Sequence, residues 1–213
     1  MENLMTPAQI ESHFTRSDGS FAFARWGRPI VPIVFGVDDA SLSVIKGAVE
    51  AVVALAGHKM AETDPELGAN LMVFFVADWG ELTGVKDLGE MIPDLPQRVA
   101  RLQAAGARQY RAFRFDADGA IRACFVFVRM DEAMAQVPAE DLALAQAAQA
   151  LLLWSDQAFA ERSPLGRLED GRAVLRPEVG AMIKAAYDPL LPNADGDKSF
   201  ALRLYARIAA GAA

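Results

Sequence analysis

The stretch Leu142-Ala-Leu-Ala-Gln-Ala-Ala-Gln-Ala-Leu-Leu-Leu-Trp-Ser-Asp156 decides how this chain is read. Alanine and leucine are strong helix formers. The preceding Pro138-Ala-Glu-Asp supplies a proline for a first turn and acidic residues for the positive end of the helix dipole. The pattern predicts a helix opening at Pro138 and ending near Leu153, with Leu142, Leu151 and Leu153 on its buried side. Gln146 and Gln149 stand three apart on one face, so their amides can point into one space and hydrogen-bond a peptide or a small ligand. The plainer alternative is an exposed polar stripe. Ser155 and Asp156 follow without a histidine to activate the serine, and Asp156 is expected to cap the next turn.

Working outward, Thr6-Pro7 reads as an N-cap with proline at the first helical position. Residues 21–26 and 29–35 read as strands around Gly27, being rich in aromatic and β-branched side chains. Asp38 opens a helix to about Ala56, with Leu42, Ile45, Val49, Val52 and Val53 at helical spacing and Gly57 as terminator. Asn70–Ala77 is almost wholly apolar, as expected of a buried central strand. Residues 78–96 are expected to be irregular and exposed, and Pro96–Ala105 helical, with Val99 and Leu102 facing in. Tyr110–Phe115, the Asp116-Ala-Asp-Gly119 turn and Ala120–Arg129 form a hairpin. Gly166–Gly171 reads as a loop, Pro177–Ala186 and Lys198–Ala210 as helices, and Tyr187-Asp-Pro-Leu-Leu-Pro as a break. This order is α+β, one mixed sheet packed on helices.

The opening stretch resembles the zinc-binding helix and turn of the metzincin metallopeptidases, whose pattern is His-Glu-x-x-His-x-x-Gly-x-x-His. The resemblance lays the three metal-ligand places on Ala145, Gln149 and Ser155, the general base on Gln146 and the turn glycine on Leu152. Every residue that would do chemistry is replaced, while the apolar frame and Asp156 remain. Leu175–Tyr187 resembles the closing helix of matrixin-like peptidases. Tyr187-Asp-Pro-Leu-Leu-Pro with its terminal helix resembles a bacterial family of unknown function with a zincin-like core, which keeps Gln at the second-histidine place and Glu at the place of Gln146. The resemblance implies a zincin-like single domain, with residues 1–20 as an N-terminal helical extension and 21–213 as the core. It implies a non-catalytic binding or scaffold module with no metal site and no cofactor.

Composition narrows the partners. Among 213 residues, 28 are acidic and 21 are Lys or Arg, a net charge of −7, which lacks the basic footprint of a general nucleic-acid binder. Hydrophobic residues make up 53%, and no apolar run approaches the ~18 residues that span a bilayer. The first residues have no basic segment followed by an apolar one, so no leader is visible and a cytoplasmic location is expected. A single cysteine, Cys124, lies in an apolar run and is expected to be buried; it excludes an intrachain disulfide and a cysteine-rich zinc module. His13 is expected at the surface and His58 at a helix end. The acidic pairs Asp38-Asp39, Asp131-Glu132, Glu140-Asp141 and Glu169-Asp170 are expected at turns and helix starts. The reading that follows is a module whose candidate ligand residues are Gln146, Gln149, Ser155 and Asp156, with a peptide or small ligand as partner, and an extended peptide along a sheet edge as one mode. Two alternatives stay open: a metal-independent hydrolase using carboxylates in a cleft, and a small-ligand sensor. Oligomeric state is left undecided.

Overall fold

A computed structural model describes residues 5–211; residues 1–4, on which the expectation of no leader falls, and 212–213 lie outside the described residues. The elements run α1 Pro7–Ser12, β1 Phe23–Ala24, β2 Pro32–Phe35, α2 Asp39–Leu55, β3 Leu71–Val76, a 3-10 turn Trp79–Gly84, α3 Leu88–Met91, α4 Leu95–Ala104, β4 Gln109–Phe115, β5 Ile121–Arg129, a 3-10 turn Met134–Gln136, α5 Ala139–Ala150, β6 Leu165–Arg167, β7 Ala173–Leu175, α6 Pro177–Ala186, β8 Ala194–Asp195 and α7 Phe200–Gly211.

The main sheet has the order β2-β3-β5-β4, with β2, β3 and β5 parallel and β4 antiparallel to β5. All six residues of β3 are buried because both faces of the sheet are covered. Val73 and Phe75 of β3, with Cys124, Val126 and Val128 of β5, face α2, α5 and the larger core. Met72, Phe74 and Val76, with Phe125 and Phe127, face the opposite layer. The architecture is therefore a mixed sheet between two helical layers.

That second layer corrects the sequence expectation for residues 78–96. Trp79, Leu82, Leu88 and Ile92 are at most 1% exposed and, with Leu95 and Val99, form a core of their own on the sheet. Residues 168–171 are loop as expected, while Gly166 and Arg167 belong to β6, which pairs with β7 as a short hairpin closed by that loop. The N-terminal helix is capped by Thr6 and Gln9 as a reciprocal box. It is no appendage: Ile10 and Phe14 are fully enclosed in the main core. Residues 21–26 form only a two-residue strand, β1, which pairs with β8.

Helix α5 ends at Ala150, three residues before the expected end. The turn after it is fastened by three donors. The Trp154 indole reaches the Ala148 carbonyl at 3.1 Å, the Trp26 indole the Ala150 carbonyl at 2.8 Å, and the Tyr187 hydroxyl the Leu151 carbonyl at 2.8 Å. Helix C-termini leave such carbonyls without intrahelical partners, and each bond made here is worth about 0.5–1.5 kcal/mol net. Arg25 reinforces the same corner. Its guanidinium donates to the carbonyls of Ala186, Asp188 and Leu191 and to Asn193 Oδ1, and lies 5.5 Å from the Tyr187 ring.

Candidate functional site

Gln146 is 4% exposed, on the side of α5 turned toward the sheet, so it does not reach a groove. Its Oε1 accepts from Arg111 Nη2, and its Nε2 donates to Gln109 Oε1 at 2.9 Å. Arg111 Nη2 also donates to Gln109 Oε1 at 3.0 Å. Two amides and a guanidinium thus close into one network between α5 and β4. Strand alternation places Gln109 and Arg111 there, since residues two apart on β4 share a face.

The network holds a cation without a counter-ion. Among the described residues Arg111 makes no ion pair, and its Nε is buried without a hydrogen-bond partner. Burial lowers its pKa to about 10, partly opposed by the neighbouring Cys124, so it stays charged at neutral pH. The Cys124 thiol, fully enclosed as expected, is pushed up to about 12 by burial and is neutral. Nη1 has no protein partner among the described residues, since both bonds of the guanidinium are made by Nη2.

The site lies on a strand edge, because among the described residues no strand pairs with the outer side of β4. The Arg129 N–H donates to the Arg108 carbonyl, which fixes the phase of the β4–β5 ladder. With the register Tyr110↔Phe127 and Ala112↔Phe125, antiparallel alternation turns the N–H and C=O of Gln109, Arg111 and Phe113 outward. The Phe113 carbonyl takes only a 3.3 Å bond from Arg114 Nη1. The edge is blunted by arginines and by an irregularity at Arg114/Phe115, as open edges commonly are. Arg108 and Arg114 fit that use, being bonded to Asp131 and to the Met91 carbonyl. Arg111 does not, because it turns inward under α5.

The other expected site residues lie apart from this network. Gln149 Nε2 donates to the carbonyl of Ala145 in its own helix, at 3.1 Å. Ser155 is 9% exposed, its N–H bonded to the His13 carbonyl and its hydroxyl to that of Ser12. Asp156 accepts from the N–H and hydroxyl of Ser17, which holds its carboxyl below the ordinary value, so it ties down a distant turn rather than capping the next one. Leu152 keeps a negative φ and is fully buried, so the turn is made without the left-handed residue that glycine would provide. Among the described residues, no three His, Cys, Asp or Glu side chains cluster closely enough to hold a metal ion.

Both histidines are more enclosed than the sequence suggests. His13 packs edge-on against Trp154 and Phe159, with centroids 6.0 Å away in each case. His58 Nε2 lies 2.9 Å from the Arg28 carbonyl, which makes that nitrogen the protonated one, and burial lowers the imidazole pKa. A separate open groove of about 1700 Å³ runs between α1, the ends of α2 and α7, residues 157–163 and α6. It carries the ion pairs Arg162–Glu178 and Arg207–Asp188. No helix among the described residues is long and apolar enough to cross a membrane.

Arg111 and Gln109 were missed by sequence reasoning, although a signal was present. Arg111 shares a strand face with Phe113, and a cation on the same face as a core aromatic marks either a paired charge or a receptor. Comparison of the chain with protein-family models, with curated proteins and with solved structures finds no match.

Proposed function

We propose that this chain is a non-catalytic binding module on a zincin-like scaffold, one that takes an extended peptide as an added strand along the outer edge of β4. One observation carries the reading: an unpaired strand edge runs directly beside a preorganised polar network, Gln109–Arg111–Gln146. Main-chain hydrogen bonds along such an edge supply affinity, and alternate side chains supply selectivity. The scaffold reading is supported by element order: an early long helix, then the sheet, then the Ala- and Leu-rich helix. No close cluster of metal ligands accompanies α5 among the described residues.

The test is a selection of extended peptides against the intact protein, followed by N-methylation of the best peptide at each position in turn. A strand-like partner donates through every second amide. Methylation is therefore expected to weaken binding tenfold or more at alternate positions and little in between. A uniform effect along the peptide, or selection of helical peptides only, would overturn the reading. A second reading, a small-ligand sensor, draws on the 1700 Å³ groove, which exceeds the usual ~300–1,000 Å³ of ligand pockets and is open rather than enclosed. Peptides whose binding is abolished by groove substitutions and not by alternate N-methylation would favour it.

A further inference from the structure

We infer that Arg111 is a carboxylate receptor: the ligand that lies along β4 presents a carboxylate to its Nη1, which no described residue takes. This rests on the edge-binding reading for the position of the ligand, and adds its chemistry. A buried cation that lacks an anion is costly, and proteins ordinarily pair or fully hydrogen-bond it. The rest of this molecule follows that rule. Arg25, the other inward guanidinium, has carbonyl or amide acceptors on all three nitrogens. Arg129 also has an enclosed, unpartnered Nε, but its Nη2 meets Asp131 at 3.2 Å. Among the described residues Arg111 has two neutral amide oxygens, both on Nη2, and a neutral thiol beside it.

The arrangement around it is that of a receptor. Gln109 and Gln146 hold the Nη2 end of the guanidinium and leave Nη1 without a protein partner among the described residues, on a strand whose Gln109, Arg111 and Phe113 N–H groups point away from β5. Guanidinium and carboxylate match in shape and charge, and partial burial strengthens the attraction relative to water. The carboxylate can be the C-terminus of the peptide, one of its acidic side chains, or a free small acid.

The experiment follows the Arg111 Nε–Hε signal by NMR while acetate, glutarate and inorganic phosphate are added separately at constant ionic strength set with chloride. Enclosure of Nε slows its exchange with water, so the signal is expected to be visible in the free protein. Saturable shifts with the two carboxylates, a higher melting temperature and loss of both effects in Arg111→Gln are expected. Should that variant fail to fold, the wild-type titration decides alone. No saturable shift with either carboxylate overturns the inference, and so does an equal shift with phosphate, which would make the site a general anion site. For a peptide found by selection, a tenfold loss on C-terminal amidation identifies the terminus, and a loss on Asp→Asn or Glu→Gln identifies a side chain. Peptide binding undiminished by Arg111→Gln defeats the receptor and leaves the edge standing. Saturable acetate binding with no strand-like peptide found defeats the edge and leaves the receptor.

Discussion

Arg25 and Arg111 both direct a guanidinium inward, and they differ in what receives their protons. Arg25 fastens the end of α6 to the first strand segment, so its role is in folding. Arg111 is held at Nη2 by two amides and meets no anion among the described residues, and Gln146 is one of the two braces. Removing that brace strips an acceptor from a buried cation and one of the two donors to Gln109 Oε1, so Gln146→Ala is expected to cost about 1–3 kcal/mol. Gln149, bonded only to its own helix, is expected to cost less than about 0.5 kcal/mol on the same change. Urea denaturation measures both, and equal losses would contradict the distinction. The sequence places the two glutamines on one helix, but it does not say which faces an arginine 35 residues earlier. That information lies in the pairing of α5 with β4, a contact between distant segments. Ser155 and Asp156 are obscure for the same reason, since their partners Ser12 and Ser17 belong to the N-terminal region.

At the scale of elements, long periodic segments are legible and short ones are not. Helix α2, strand β3, the β4–β5 hairpin and α6 fall where apolar spacing and turn residues place them, because each repeats its pattern enough to stand out. The layer from Trp79 to Ile92 escapes because it is built from one 3-10 turn and one turn of helix. Its apolar residues fit no single period, and Asp87 and Asp94, at φ 61° and 56°, break the chain between pieces. Burial makes this layer structural all the same. Leu88→Ala is expected to cost about 2–5 kcal/mol, as for a core leucine, where a residue on an exposed loop would cost under about 0.5 kcal/mol. A loss in the lower range, measured by urea or thermal denaturation, would return the segment to the surface.

For the whole molecule, the sheet order β2-β3-β5-β4 matters most, because it buries the apolar β3 and leaves β4 as an edge. Composition alone carries little of this: a net charge of −7 does not show that Arg111 and Arg114 lie on the edge strand with Arg108 just before it. Helical layers over both faces leave the strand edges as the places where backbone can still pair with another chain. Backbone amide exchange at β4, in the free protein and with a selected extended peptide bound, tests the account most directly. In the free protein, Tyr110, Ala112 and Arg114, paired with β5, are expected to exchange slowly, and Arg111 and Phe113 quickly. With peptide bound, Arg111 and Phe113 are expected to slow by tenfold or more while the other three change little. Peptide binding that leaves Arg111 and Phe113 exchanging as before would contradict the account.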